Sequence, residues 1–165
     1  MMKIYLIGMP LSGKTTVGLR LAEQLNCKFF DVDLEIEKIC GETIFNAIKN
    51  NGIRFFRKIE SNVLSSTVDF EGNTVISCGG GIVEKKKNRR FLMKKFTLYL
   101  ECSIETLEQR KSHSHVRPLL INDSSFDILF KRRKEYYNRL SKYVLDGEDN
   151  PDDIVNKIVK ILNEE

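Results

Sequence analysis

The chain contains no Cys-x-x-Cys pair. Its four cysteines, Cys27, Cys40, Cys78 and Cys102, are scattered, and its only two histidines, His113 and His115, sit far from most of them. No zinc-ligand spacing and no paired-thiol redox motif can be assembled from that set. Scattered free thiols suit a reducing compartment. Apolar residues nowhere run for the ~18 positions that a membrane-spanning helix needs. The short apolar stretch after Met1-Met2-Lys3 is followed by no small-residue cleavage site, so it reads as a strand and not as a secretory signal. The expected location is the cytoplasm. Linkers, repeats and low-complexity tracts are missing too. The remainder is 165 residues, 41% hydrophobic and 30% charged, which fits one globular domain with a substantial core. Lys and Arg number 27 against 23 Asp and Glu, for a net charge of +4. The basic residues are dispersed and belong to no nucleic-acid module, so the expected partners exclude nucleic acid and membrane. The densest run, Glu84-Lys85-Lys86-Lys87-Asn88-Arg89-Arg90, reads as a solvated loop and helix start. No apolar surface stripe stands out, and a monomer is expected.

Against that background one segment carries most of the information. Gly8-Met9-Pro10-Leu11-Ser12-Gly13-Lys14-Thr15 matches G-x-x-x-x-G-K-S/T, the phosphate-binding P-loop. The apolar run Ile4-Tyr5-Leu6-Ile7 precedes it as a buried strand. Val17, Leu21, Ala22 and Leu25 then share one face of a helix. Backbone N–H groups of Gly8, Ser12, Gly13 and the first helical turn, through Thr16, can wrap a nucleotide phosphate, aided by the helix dipole. Lys14 can reach the outer phosphates, and the Thr15 hydroxyl can sit on Mg²⁺.

Strand and helix signals alternate along the rest. Lys28-Phe29-Phe30 reads as a strand ending in Asp31-Val32-Asp33, followed by a helix near Leu34 to Ile39 that Gly41 stops. Thr43 can cap a helix carrying Ile44 and Ile48, ended around Gly52, and a further helix spans Phe55 to Val68. Thr74 to Ser77 and Phe96 to Leu100 read as strands. Ser103 caps a helix reaching about Arg110, a loop covers Ser112 to Ser124, and a charged helix runs from Ser125 to Leu140. Tyr143 to Leu145 is a short strand. Asn150 (N-cap), Pro151 (N1), Asp152 and Asp153 start a final helix with Ile154, Val155, Ile158, Val159, Ile161 and Leu162 on its buried face. Such alternation implies an α/β fold: a parallel sheet with helices on both faces and a ligand site at the strand C-terminal edge.

Several residues fall at that edge. Asp31 and Asp33, two apart at a strand end, would share a face. Asp31 would then serve Mg²⁺ and Asp33 would face an acceptor hydroxyl. Gly79-Gly80-Gly81 offers bare backbone N–H donors to a ligand. Arg57 and Glu60, i and i+3 on a helix, can meet, and a guanidinium held this way makes a rigid carboxylate or phosphate clamp. Arg117, in the 112–124 loop with the two histidines, suits a lid that closes over the nucleotide.

Taken together, the P-loop, Asp31-Val32-Asp33, Phe56-Arg57-Lys58-Ile59-Glu60, Gly79-Gly80-Gly81 and Arg117-Pro118-Leu119-Leu120 stand in the order and spacing of shikimate kinases. Arg133-Lys134-Glu135-Tyr136-Tyr137 resembles the family's R-x-x-x-Y, preferred over Arg132-x-x-x-Tyr136. The resemblance spans nearly the whole chain. It implies a three-layer P-loop kinase fold like that of nucleoside monophosphate kinases, with five parallel strands in the order 2-3-1-4-5. The implied substrate-binding helices span about 33–61. It also implies ATP and Mg²⁺ as cofactors, and transfer of the γ-phosphoryl to the 3-hydroxyl of shikimate on the way to chorismate and the aromatic amino acids. By resemblance, Asp33, Arg57, Gly79, Gly80, Gly81 and Arg133 bind shikimate, with Arg57 and Arg133 on its carboxylate. Thr15 and Asp31 serve Mg²⁺, Lys14 and Arg117 act on the phosphates, and Arg110 and Pro151 flank the adenine. The chain departs from the family pattern at Leu11, usually Gly; at Ile53, usually Glu; and at Ala47-Ile48, often Ile-Phe.

Two short segments imitate a GTP-dependent switch. Asp69-Phe70-Glu71-Gly72 resembles D-x-x-G, and Asn156-Lys157-Ile158-Val159 begins like N-K-x-D but ends in Val. A P-loop chain of this size could also be a kinase for gluconate or a nucleotide, or a catalytically silent nucleotide-binding relative. The Arg57/Glu60 pair with the triple glycine disfavours the kinase for another acceptor; Lys14, Asp33 and Arg117 disfavour the silent relative.

Overall fold

The structure is a computed structural model and describes residues 1–112 and 123–164, with the side chains of 123–125 excepted. Residues 113–122 of the expected lid, with Arg117 and both histidines, lie outside the described residues, as does the Arg117-Pro118-Leu119-Leu120 motif. In chain order the elements are β1 (Lys3–Ile7), α1 (Lys14–Gln24), β2 (Lys28–Asp31), α2 (Val32–Cys40), α3 (Ile44–Asn51) and α4 (Ile53–Ser66), which ends in a 3-10 turn (Thr67–Asp69). Then come β3 (Thr74–Ser77), a second 3-10 turn (Ile82–Glu84), α5 (Lys86–Leu92), β4 (Phe96–Glu101), α6 (Ile104–Ser112), α7 (Asp123–Leu140), β5 (Tyr143–Asp146) and α8 (Pro151–Asn163).

The five strands form one sheet in the order β2-β3-β1-β4-β5. All pairs are parallel, with Leu6 opposite Ser77 and Asp31 also opposite Ser77. The C-terminal ends of β1, β2 and β3 therefore open onto one edge. Strand residues alternate between two cores. Ile4, Leu6, Val75, Leu98 and Leu100 pack against Val17, Leu21 and Ala22 of α1 and Ile154, Val155 and Ile158 of α8. On the opposite face Tyr5, Ile7, Ile76 and Tyr99 meet Ile36 of α2, Phe56, Val63 and Leu64 of α4, Leu107 of α6 and Phe126, Phe130 and Tyr137 of α7. Burial on both faces is why the central strands β1, β3 and β4 are mostly apolar in sequence.

Helix ends follow local chemistry. Thr43 and Asn150 accept from the backbone N–H groups of Asn46 and Asp152. Ser103 Oγ accepts from Thr106 N at 3.2 Å. Gly18 interrupts α1, where glycine costs about 1 kcal/mol relative to alanine. The reason is contact: a Cβ there would lie 2.6 Å from the Phe29 ring, so with glycine the ring can lie directly against α1.

Several expected boundaries shift. The helix expected to reach about Arg110 continues through Ser112, and the one expected from Ser125 begins at Asp123, so both ends of the expected loop are helical. The helix expected from Phe55 begins at Ile53, and the residues up to Asp69 tighten into 3-10 geometry. The helix expected near Leu34 begins at Val32, because the Asp31 carboxylate accepts from the N–H groups of Asp33 and Leu34 and so starts the helix early.

Leu21 is fully buried and Leu19 is 52% exposed on the same helix. Leu21→Ala is expected to cost about 2–4 kcal/mol in urea unfolding through transfer and cavity losses, and Leu19→Ala less than about 0.5 kcal/mol. Equal costs would mean that α1 does not present this face to the sheet.

Candidate active site

The loop between β1 and α1 holds three residues of positive φ, Gly8 at 152°, Leu11 at 69° and Gly13 at 93°. Gly13 is the N-cap of α1 with φ 93°. No side chain caps this helix and its first turn holds no acidic residue, in contrast to α2, α3 and α8 with their Asp31, Thr43 and Asn150 caps. The first-turn N–H groups and the positive end of the helix dipole face the cleft. The Lys14 ammonium is gathered by the loop itself, donating to the Met9 carbonyl at 2.7 Å, the Gly8 carbonyl at 3.1 Å and Ser12 Oγ at 3.3 Å. A Cβ on Gly8 would sit 2.6 Å from the Leu100 carbonyl oxygen.

Of the three residues of positive φ, Leu11, at 69°, is the one that is not glycine. The loop therefore keeps glycine geometry where the related pattern carries glycine, at a backbone cost of about 1–2 kcal/mol. Two contacts offset it. The Leu11 side chain packs on the core, and its carbonyl accepts from Arg110 Nη1 at 3.0 Å. Arg110 Nη2 also donates to the Gly147 carbonyl at 3.1 Å, so this guanidinium straps the loop to the end of β5.

A cleft of about 400 Å³ opens over the loop. Its lining includes Ser12, Gly13, Lys14, Thr15, Thr16, Asp31, Asp33, Arg110 and Pro151, and also Ser77, Cys78 and Asp149, which carry no motif to mark them in sequence. Thr15 Oγ1 donates to Asp31 Oδ2 at 2.9 Å. The other Asp31 oxygen, Oδ1, caps α2. The expectation that Asp31 and Asp33 share a strand face is corrected here: β2 ends at Asp31, and Asp33 lies in the first turn of α2. Both carboxylates still reach the cleft, one by capping and one by helical position.

Arg57, Gly79, Gly80, Gly81 and Arg133 are not among the residues that line that cleft; Gly79 lies against Asp33 and Gly81 against Arg57, and the Arg133 charge acts on Glu60. The three glycines have no left-handed φ among them. Each makes room for a different side chain. A Cβ on Gly79 would overlap the Asp33 carboxylate, one on Gly80 the Pro10 ring, and one on Gly81 the Arg57 guanidinium. The sequence suggested bare backbone for a ligand, whereas the missing Cβ atoms first admit protein groups. Pro10 is a contributor that sequence reasoning missed, since a P-loop tolerates any residue there.

Arg57 Nη1 donates to Glu60 Oε1 at 2.6 Å, with the two side chains 15% and 1% exposed. The second Glu60 oxygen, Oε2, is buried without a hydrogen-bond partner among the described residues. Burial pushes the Glu60 carboxyl up to about 7, and the Arg57 charge pulls against that rise. Arg133 is buried at 7% exposure, while the Arg132 side chain is 53% exposed. Tyr137, one turn beyond Arg133, donates its buried hydroxyl to the Gly80 carbonyl. Burial raises that phenol, so it stays a donor. Burial likewise keeps Cys78 a neutral thiol. Of the switch-like decoys, Asp69 ends a 3-10 turn and Asn156 to Val159 lie inside α8, away from the cleft lining.

Known proteins are similar to this chain over nearly its whole length. The sequence model of the family "Shikimate kinase" matches residues 10–163. A shikimate kinase of Aquifex aeolicus is 36% identical over 163 residues, covering 98% of this chain and 96% of the relative. One from Microcystis aeruginosa is 34% identical over 165 residues, covering 98% and 86%. Among solved structures, shikimate kinase from Acinetobacter baumannii in complex with shikimate superposes with TM-score 0.91 at 31% identity, covering 99% of this chain and 94% of that one. A gluconokinase from Sinorhizobium meliloti, at TM-score 0.59 and 18% identity, shares the fold alone.

Between about pH 4.5 and 7 the folded chain holds a proton on Glu60 that an unfolded chain has released, so this group's contribution to stability declines as pH rises through that window. Glu60→Gln removes the titration. The unfolding midpoint of the native protein is expected to fall relative to Glu60→Gln as pH goes from 4.5 to 8; a constant difference would mean that Glu60 is not raised.

Proposed function

The chain belongs to the shikimate kinase family, and on that premise we propose how its residues divide the reaction. The protein is an ATP-dependent kinase that transfers a phosphoryl group to the 3-hydroxyl of shikimate, in aromatic biosynthesis. The observation that best supports the division is the glycine junction. Asp33 from α2, Arg57 from α4 and Pro10 from the P-loop all pack against Gly79–Gly81, so acceptor-side and phosphate-side groups share one rigid reference.

On the phosphate side, Gly8, Ser12, Gly13, Thr15 and Thr16 supply loop and first-turn donors for the ATP phosphates. Lys14 moves its ammonium from the loop carbonyls to the β- and γ-phosphates. Arg110 and Pro151 border the adenine, and Arg117 adds positive charge from the 112–124 segment. The donor set for Mg²⁺ fits its preference for hard oxygen: the Thr15 hydroxyl and Asp31 Oδ2 are adjacent at the loop mouth, and Mg²⁺ takes few protein ligands beside phosphates and water. When bound there it would neutralise charge on the β- and γ-phosphates.

On the acceptor side, Arg57 and Arg133 grip the shikimate carboxylate and the Gly79–Gly81 backbone borders the ring. Asp33 orients the 3-hydroxyl and accepts its proton as the phosphoryl leaves ADP. Ile48 and Ile53 replace an aromatic and an acidic residue of the family pattern. Ile53 is 47% exposed, and Ile48 packs on the core. The same reading takes the protein as a cytoplasmic monomer with small-molecule substrates only. No helix among the described residues is long and apolar enough to cross a membrane.

ADP release from ATP·Mg²⁺ is expected with shikimate and not with gluconate, AMP or no acceptor; equal release with gluconate would overturn the acceptor assignment. Asp33→Asn is expected to lower kcat about 100-fold or more while nucleotide affinity stays intact. Arg57→Ala should raise the KM for shikimate by about 30-fold or more, as loss of a charge-assisted clamp does, and a shift confined to ATP would remove Arg57 from the acceptor side.

A further inference from the structure

Arg57 and Arg133 are held in different ways. Arg57 is fixed by Glu60 on its own helix. Arg133 Nε donates to Glu84 Oε1 at 2.7 Å, across 49 positions of sequence. The other Glu84 oxygen, Oε2, accepts from Arg132 Nη2 at 2.7 Å. Glu84 ends the 3-10 turn that directly follows the triple glycine. That turn is itself anchored: Asn88 Nδ2 donates to the Ile82 carbonyl at 3.0 Å, and Arg89 Nη1 donates to the Val83 and Glu84 carbonyls at 2.5 and 2.9 Å. Tyr137 closes the same junction from α7 through Gly80. The run from Glu84 to Arg90, expected to be solvated, therefore has Glu84, Asn88 and Arg89 turned inward.

We propose that Glu84 is a positioning residue for Arg133, locking the Nε edge of its guanidinium so that the terminal nitrogens face the acceptor carboxylate. The inference rests on the reading of Arg133 as a shikimate clamp. Three charges explain why the carboxylate helps and does not simply neutralise its partner. Two guanidiniums share one carboxylate, which leaves net positive charge for an incoming anion. Burial alone would raise the Glu84 carboxyl, but the bonds and charges of Arg133 and Arg132 outweigh it and hold the group below the usual carboxylate range. A planar guanidinium gripped on one edge is pre-organised for a two-pronged bond on the other, which lowers the ordering cost of binding.

A double-mutant cycle in the full-length protein tests this. Glu84→Ala is expected to raise the KM for shikimate about 10-fold, with the KM for ATP unchanged and kcat within about 3-fold. Glu84→Gln retains an oxygen that can accept from Nε at nearly unchanged volume, and should recover about half of that loss on a logarithmic scale. Arg133→Ala should raise the KM for shikimate at least as far, and adding Glu84→Ala to it should change nothing more, because the residue it positions is gone. Full additivity of the two substitutions, or an equal shift in the KM for ATP, would overturn the proposal. If Arg133→Ala leaves the shikimate KM unchanged, the clamp reading of Arg133 fails and the role of Glu84 with it. If Arg133→Ala raises KM and Glu84→Ala does not, Glu84 alone is refuted.

Discussion

The closeness of three side chains to the backbone of Gly79–Gly81 organises this molecule. Asp33, Pro10 and Arg57 come from α2, the P-loop and α4, and each occupies the space that a Cβ would need. A methyl group at any of the three positions would push one of these groups away from the others. The strand order makes the meeting possible: β3 lies between β1 and β2, so the glycines that follow it emerge between the P-loop and Asp31. Phosphoryl transfer depends on placing donor and acceptor in line, and under the proposed division of roles this junction would give both sides one reference.

Charge is the second constraint. The charges of Arg57, Asp33 and Arg133 all act on Glu60, which is buried where an unpaired charge is costly. The fold gives each of the two arginines a different carboxylate, Glu60 for Arg57 and Glu84, shared with Arg132, for Arg133. The two solutions differ in electrostatic consequence. Among the described residues Glu60 has one partner and an oxygen without one, so burial dominates and its proton affinity rises. Glu84 has two arginine partners and is less buried, so attraction dominates and its proton affinity falls.

The loop at Leu11 shows how a departure from a family pattern is absorbed. Backbone geometry there is dictated by closure of the phosphate loop, and a leucine adopts the left-handed conformation that glycine would adopt freely. The strain is held in place by the Arg110 strap and by packing of the leucine side chain, both of which come from the surrounding fold.

What sequence alone determined is local or periodic. The strand–loop–helix of the P-loop, the Thr43 and Asn150 caps, the Arg57–Glu60 pair and the two-sided burial of the strands all follow from spacing within a few residues, because backbone hydrogen bonding and side-chain direction act over about one turn. The family pattern extended this to strand order. Tertiary structure decided the rest. It placed Asp33 in a helix and not on the strand, because a capping bond from Asp31 won over continuation of β2. It filled the missing Cβ positions of the triple glycine with side chains from three other elements. It buried Arg133 and exposed Arg132, a choice between adjacent positions that depends on which way α7 faces the sheet. It also paired Glu84 with Arg133 across 49 residues. Contacts of this kind have no local signal, since they are fixed only when packed helices bring distant segments within hydrogen-bond reach.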